Sequence, residues 1–346
     1  MHFSSIVVCL AVLSSCAPSD AAIPPPLPFA AVLHDTGSVT LASPEGAIGF
    51  IASACLLGDK IVVLDESHAR ASVFSSRSGA LMRVIGHAGD STGDLRRPVQ
   101  VVRAQGSGFA ILDQGRRLVS FRDSQGGVLR EVDLPQGMFN GLVVNERDGT
   151  TYLTGRSTAA LDKQVHQLGA DGGVSRSFLQ MPADNDVLQQ RYGVPFGALI
   201  GDLLAVGSMA SPTVHLVNGR GENVRDILLP THWYRAPVWD VKASASGAAT
   251  DMREWLRKQR LVNGLFGLPG GFLFVRVRDF STPGDGLYAY ALFDSTGSTR
   301  LITAPTDRHV VATHGDTIVW TGGASGGTQS VSWGLLSAPA KVATQQ

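Results

Sequence analysis

The residues best suited to recognition chemistry lie in one segment, 231–260, which contains three of the five tryptophans of the chain. Its candidate binding residues are Trp233, Tyr234, Trp239 and Trp255. Tryptophan and tyrosine combine a large apolar surface with a polar atom, and such side chains dominate the energetics of recognition. The segment is therefore predicted to form a binding wall; the alternative is a satellite core that pins it to the rest of the protein.

Motifs for common catalysis are absent from the sequence in the context that they require. Gly-x-Ser-x-Gly occurs at 89–93 and 323–327, but without the strand–elbow–helix pattern that a nucleophilic serine requires, and the sequence has no His-x₃-His or Cys-x₂-Cys pair, no phosphate-binding loop and no dinucleotide fingerprint. Cys55 lies alone in an apolar run, which predicts a buried small side chain rather than a reactive thiol. No catalytic residue is assigned, and binding is favoured over catalysis.

The amino-acid composition and the net charge of the chain exclude one class of partner and favour one class of fold. The 346 residues carry 29 Lys and Arg against 29 Asp and Glu, so the formal net charge is zero. The pairs Arg96-Arg97 and Arg116-Arg117 are too small to form the basic surface that nucleic-acid binding requires, so nucleic acid is excluded as a partner. Forty glycines in a chain of this length suit a single all-β domain with many turns.

The first residues predict export. The apolar stretch 3–15 is too short to span a bilayer, and Leu13-Ser14-Ser15-Cys16 resembles the lipobox of bacterial lipoproteins. Residues 1–16 are read as a signal peptide, Cys16 as the lipidated residue, and 17–29 as a proline-rich tether. The protein is expected to be membrane-anchored through lipid alone, or periplasmic or extracellular after cleavage near Ser19-Asp20-Ala21.

Two stretches of the chain repeat one pattern. Residues 60–85 and 108–132 each contain an apolar run that ends in Asp, a polar turn with Arg, an alternating strand that ends in Phe, and a glycine turn. Aligned on Asp65 and Asp113, the copies lie 48 residues apart (113 − 65). A repeat of this period with four short strands and no helix is typical of a β-propeller blade.

The repeated residues resemble the NHL repeat of six-bladed β-propellers. The stretch 86–98, with its glycines and final proline, is similar to that family's blade junction, and Asp65, His68-x-Arg70 and Phe74 are similar to its core motif. The resemblance implies a six-bladed, four-stranded, all-β propeller. The later blades keep the strand pattern but lose the Asp and the Arg.

The strand pattern continues through the chain and predicts one domain, 30–341, followed by a tail, 342–346. The predicted blades cover 48–85, 97–134, 139–181, 194–230, 261–304 and 308–337. The last blade lacks an outer strand, so residues 30–42 are predicted to close the ring; seven blades is the alternative. Asp251 and Glu254 resemble a capping box, which predicts a short helix between blades 4 and 5.

The connections between blades predict which residues surround the channel. Segment 231–260 joins an outer strand to the next inner strand, on the face where propellers usually admit ligands. Arg97 and the pair Arg191-Tyr192 end equivalent connections in other blades. These side chains are expected to line the same rim and to meet an anionic or carbonyl group.

A second resemblance concerns two Asn-Gly pairs that open predicted inner strands. The stretch from Asn140-Gly141 to Tyr152 is similar to gluconolactonase-like and strictosidine-synthase-like propellers, and Asn263-Gly264 repeats the pair. The resemblance implies a channel site for calcium or another divalent cation, held by Asn140, Asn263 and Asp307, that could activate water. The alternative is that Asn-Gly is only a common turn pair. No other cofactor is expected.

Three functions follow from the sequence, in order of preference. The first is an exported protein that binds a peptide, glycan or protein partner at the channel mouth near 231–260. The second is a metal-dependent lactonase or esterase, and the third is a structural scaffold in an envelope assembly. The propeller fold alone does not choose among them.

Overall fold

The computed structural model of the protein describes residues 24–41, 48–169, 171–180, 193, 195–209, 211–234, 249–281, 287–322 and 329–336. Within these residues the strands form six antiparallel sheets of four strands each. Each sheet is one blade of a β-propeller, which confirms the predicted fold class.

The strands follow the chain in order, except that the first strand, β1 (Leu33–Thr40), belongs to the last blade. From inner to outer strand, the first three blades are β2–β5 (Ile51–Leu57, Lys60–Asp65, Arg70–Ser75, Leu81–Ile85), β6–β9 (Pro98–Arg103, Phe109–Asp113, Leu118–Arg122, Val128–Asp133) and β10–β13 (Gly137–Val144, Thr151–Ser157, Lys163–Leu168, Val174–Gln180). The next three are β14–β17 (Pro195–Ile200, Leu203–Ser208, Thr213–Val217, Asn223–Leu228), β18–β21 (Arg260–Leu268, Phe272–Asp279, Leu287–Phe293, Thr299–Ile302) and β22–β24 (His309–His314, Thr317–Thr321, Ser330–Leu336), completed by β1.

Local sequence explains the strands and their turns. Several second and third strands, such as β3, β19, β20 and β23, are rich in β-branched or aromatic residues, which suit a surface that is packed on both faces. A glycine with positive φ lies in the turn between the first two strands of every blade, because that left-handed backbone is costly for other residues. These glycines are Gly58 (φ 62°), Gly106 (φ 76°), Gly149 (φ 76°), Gly201 (φ 61°), Gly270 (φ 75°) and Gly315 (φ 53°).

The hydrophobic core is divided among the six interfaces between neighbouring blades. Six clusters of buried apolar side chains lie one at each interface. Between blades 1 and 2, for example, Leu64, Leu95 and Ile111 are fully buried. Each blade is therefore stabilised by both neighbours, and the ring must close for the last interface to form.

The ring closes as predicted, with the N-terminal strand as the outer strand of blade 6. β1 pairs antiparallel with β24 from Leu33 opposite Leu336 to Thr40 opposite Ser330. The predicted outer strand, 30–42, contains this pairing. Because both ends of the chain contribute strands to blade 6, this blade has four strands like the other five, and β24 is paired on both edges.

Among the residues that the structure describes, two short α-helices and a one-turn 3₁₀ helix (Pro269–Gly271) accompany the strands. α1 (Phe29–Val32) precedes β1 and was not predicted, and α2 (Ala249–Leu256) lies between blades 4 and 5, where a helix was predicted. Phe29 is buried against Tyr290 and Trp320, with ring centroids 5.1 and 6.0 Å away. Residues 27–29 of the predicted tether thus belong to the packed structure, while 1–23, including Cys16, lie outside the described residues.

The repeated aspartates hold the loops at one end of the blades. Asp113 is fully buried, and its carboxylate accepts the main-chain N–H groups of Arg96, Arg97 and Arg116 at 2.8 to 3.0 Å. Blade 5 also keeps this aspartate. Asp279 ends the second strand of the blade and accepts hydrogen bonds from the Ser281 N–H and the Arg260 side chain. The prediction that all later blades lose the aspartate is therefore wrong for blade 5.

Candidate functional site

One end of the channel collects the residues that come just before each inner strand. Every blade begins with its inner strand, so these six strands run in the same direction along the channel. Phe50, Arg97 and His309 directly precede or begin the inner strands of blades 1, 2 and 6. We call this end the entrance mouth, and the opposite end, where the inner strands finish, the far end.

The aromatic residues predicted to form a binding wall are largely buried. Trp233, Tyr234 and Trp255 are at most 6% exposed, and the first two pack in the core between blades 4 and 5. The Tyr234 hydroxyl donates to the main-chain oxygen of Met209 at 2.9 Å, and burial raises the pKa of this phenol well above its usual range. Trp233 and Tyr234 therefore belong to the core between two blades, and a role of these aromatic residues in binding stays a prediction. Trp239 lies outside the described residues.

Of the residues predicted to line the rim, Arg97 lies at the entrance mouth, and its side chain is 65% exposed. Its guanidinium lies 3.6 Å from Glu66, while its main-chain N–H is held by Asp113 at 3.0 Å. The backbone is thus fixed and the side chain faces solvent. The other two predicted rim residues, Arg191 and Tyr192, lie outside the described residues.

The two asparagines predicted as cation ligands occupy β-bulges rather than turns. The register of β10 against β11 shifts at Asn140, and that of β18 against β19 shifts at Asn263. Gln114 donates to the Asn140 amide oxygen at 2.9 Å, and the Arg276 guanidinium donates to the Asn263 amide oxygen at 2.9 Å. A bulge re-aims a side chain locally, and here both amides are directed into bonds that hold the channel wall.

The third predicted ligand, Asp307, is exposed in the connection that leads into blade 6. Across the described ranges no three His, Cys, Asp or Glu side chains come close enough together to hold a metal ion. A guanidinium beside Asn263 also places positive charge where a cation would have to bind. The geometry therefore supplies no observation that favours the hydrolase alternative.

An aromatic stack that the sequence did not predict lies at the entrance mouth. The His309 ring lies 4.7 Å from Tyr288 with an interplanar angle of 15°, and 6.5 Å from Phe50 at 22°. Tyr288 is buried, His309 is partly buried, and Phe50 is 52% exposed. The three rings come from blades 5, 6 and 1, so the stack crosses two blade interfaces and ends at solvent.

Two arginines accompany the stack. The Arg276 guanidinium lies 5.6 Å from the Tyr288 ring centroid, and that of Arg278 lies 5.8 Å from Tyr288 and 4.7 Å from Phe280. Burial, followed by the charges of Arg276 and Arg278, lowers the pKa of His309 to about 2. His309 is therefore neutral at ordinary pH and presents an aromatic face and nitrogen atoms rather than a positive charge.

No local signal in the sequence could have identified this stack. Phe50, Tyr288 and His309 are separated by as many as 259 positions along the chain (309 − 50) and belong to no shared motif. The sequence indicated only that Phe50 and His309 lie at the starts of inner strands in neighbouring blades. Assigning blades 1 and 6 as neighbours was correct, but ring orientation depends on tertiary packing.

Within the described segments, no helix is both long and apolar enough to cross a membrane. No family model matches the chain, and no curated protein matches its sequence. Solved structures do resemble it. One is a protein from Bacteroides fragilis assigned as exported, with 13% identity over 89% of this chain and 96% of that chain, and a TM-score of 0.65.

A second similar structure is a member of the DUF4221 family from Bacteroides vulgatus, with 8% identity, 88% and 98% of the two chains covered, and a TM-score of 0.63. A third is virginiamycin B lyase from Staphylococcus aureus, with 10% identity, 88% and 99% covered, and a TM-score of 0.50. At such low identity these likenesses show the fold alone.

Proposed function

We propose that this chain is an exported binding protein whose entrance mouth recognises a peptide or protein partner. The observation that carries the proposal is the exposed Phe50 ring, which ends the stack with His309 and Tyr288 at the channel opening. Aromatic and arginine side chains are the residues that most often dominate binding energy at protein interfaces. Arg97 lies at the same mouth and adds an exposed donor.

The backbone around Phe50 is held in place before any partner binds. The Phe50 N–H donates to the Ser67 hydroxyl at 3.1 Å, and the Phe50 carbonyl accepts from the Glu66 N–H at 3.2 Å. The preceding Gly49 N–H donates to Asp65 at 3.1 Å, and a Cβ at position 49 would lie only 2.6 Å from the Ser67 side chain. An aromatic side chain on a fixed backbone loses little entropy on binding, which favours affinity.

The proposed binding function can be tested with peptides selected for the protein itself. Peptides selected from a displayed library on immobilised wild-type protein are expected to bind Phe50→Ala at least about 30-fold more weakly, the effect of a hot spot near 2 kcal/mol. The Tm should be almost unchanged because half of the ring is exposed. Titration calorimetry gives the affinities.

Leu129→Ala is the matched control, since Leu129 is 67% exposed on the outer strand of blade 2, away from the entrance mouth. Peptides that bind Leu129→Ala normally but fail to bind Phe50→Ala support the proposal. Equal affinity of the selected peptides for Phe50→Ala and the wild type contradicts it, as does a selection in which no peptide is enriched.

Export through a lipid anchor is the second part of the proposal. It is supported by the lipobox-like residues 13–16 and agrees with the likeness to a protein assigned as exported. Expressed in a bacterium with its N-terminus intact, the mature protein is expected to begin at Cys16 and to carry lipid. Mass spectrometry of the N-terminal peptide measures this directly, with Cys16→Ser as the control that loses the added mass. An unmodified terminus near Ala22 would instead show secretion without an anchor.

A further inference from the structure

A cavity of about 630 Å³ lies at the far end of the channel, away from the entrance mouth. All six inner strands line it, five of them also with residues at or beyond their last positions. Its lining comes from residues 53–55, 100–103, 142–147, 197–199, 201, 265–270 and 311–315. The volume lies in the range of small-molecule sites, and glycines and alanines on the inner strands leave the space open.

Three polar side chains from three blades meet in this lining. Arg103 Nε lies 3.0 Å from a carboxylate oxygen of Glu146, and His314 Nδ1 lies 3.8 Å from the other oxygen. Arg103 also donates to the main-chain oxygen of Leu56 at 2.9 Å, which fixes the guanidinium against blade 1. Glu146 and His314 are about 40% exposed, so both remain accessible from the cavity.

The charges of this cluster cancel. Arg103 and Glu146 form an ion pair, and burial, reinforced by Arg103, lowers the pKa of His314 so that its ring is neutral at ordinary pH. Burial also raises the pKa of the Cys55 thiol to about 12, so the lining contains no thiolate. The other charged residue of the lining, Arg147, is paired with Asp202 at 3.2 Å, so a free ion would find no unpaired opposite charge here. The cluster nevertheless offers both hydrogen-bond donors and acceptors.

The rest of the lining suits a ligand with apolar and polar faces. Phe266 contributes an aromatic side chain to the cavity, with the Arg276 guanidinium 5.3 Å from its ring centroid. Inner strands are sheet edges, so their alternate N–H and C=O groups face the channel. Side chains already satisfy some of these groups: Thr313 donates to the Gly267 oxygen at 3.0 Å. The remaining groups can bond to hydroxyls.

We propose that the far-end cavity is a second binding site, for a neutral polyhydroxylated small molecule of monosaccharide size. The paired Arg103 and Glu146 donate to and accept from neighbouring hydroxyl groups, His314 adds a neutral polar atom, and Phe266 packs against the C–H face of the ligand. This site is separate from the entrance mouth and does not depend on the function proposed there.

Titration calorimetry and saturation-transfer NMR with D-glucose, D-mannose and myo-inositol test the proposal, with acetate and succinate as anionic comparison probes. At least one polyol is expected to bind saturably and neither carboxylate to bind. Glu146→Gln removes the charged acceptor and should weaken polyol binding about tenfold, the usual effect of losing a charge-assisted hydrogen bond. Phe266→Leu keeps an apolar side chain but removes the ring, and should also weaken binding.

Glu222→Gln is the matched control, because Glu222 is an exposed carboxylate of blade 4 that does not line the cavity, and it should bind the polyol normally. Phe50→Ala should also bind it normally, which separates this site from the entrance mouth. The proposal is overturned if no polyol binds the folded wild type, if the carboxylates bind in their place, or if folded Glu146→Gln and Phe266→Leu both bind with wild-type affinity.

Discussion

A chain that lacks residues 24–41 is expected to aggregate or to melt far below the full-length protein. The deletion removes β1 and with it the outer ladder of blade 6, exposing the edge of β24. It also removes the buried side chains of Phe29, Val32 and Leu33. Each contributes about 1.5–3 kcal/mol through apolar burial, while a whole domain is stable by only about 5–15 kcal/mol.

The comparison is a chain that begins at Pro24, which keeps every described residue of blade 6. Its melting temperature and elution volume should match those of the longer chain. Thermal melting and size-exclusion chromatography of the two truncations give the result. If the chain that lacks residues up to Leu41 melts as a monomer at the wild-type temperature, β1 does not contribute to closure.

Tyr234→Ala is expected to cost about 3–5 kcal/mol of unfolding free energy, the usual effect of truncating a fully buried aromatic side chain. The ring lies in the core between blades 4 and 5 and is 1% exposed. Tyr234→Phe removes only the hydrogen bond to Met209 and should cost about 1 kcal/mol. Urea unfolding of both variants measures the difference.

Met138→Ala is the exposed control for this comparison, since Met138 is 49% exposed and its truncation should change the stability little. The binding-wall prediction for segment 231–260 has a different consequence. It requires Tyr234→Ala to abolish partner binding while its unfolding free energy stays at the wild-type value. That outcome would show that Tyr234 acts in partner binding and not in the stability of the core.

The architecture could be read from the chain because blade formation is a local property. A strand of alternating or fully apolar residues that ends in Asp65 or Asp113, followed by a glycine turn, specifies a blade without reference to the rest of the molecule. Counting strands then left one strand missing at the end of the chain and one spare at the beginning. The pairing of these two strands was therefore predictable, while the register, with Leu33 opposite Leu336, comes from the structure.

Blade 5 shows how the same reasoning fails when a motif is degenerate. Asp279 ends its second strand and accepts hydrogen bonds from the Ser281 N–H and the Arg260 side chain, but no Arg follows it four or five residues later as in the repeat. Similarly, Asn140 and Asn263 stood out as a repeated pair, and their repetition has a structural cause. Both occupy bulges near the start of inner strands, where a side chain is turned to a partner within the wall.

The chain's own pattern of strands and turns was enough to specify six blades and the helix between blades 4 and 5, since these depend on neighbours in sequence. The closing strand followed from the count of strands, because one was missing at the end of the chain and one was spare at its beginning. The candidate sites were not specified in that way. Phe50 meets His309, and Arg103 meets Glu146, only because the closed ring brings different blades to the two ends of one channel. Whether an aromatic side chain is exposed like Phe50 or buried like Tyr234 depends on packing between blades, and residue type and spacing contain no record of that packing.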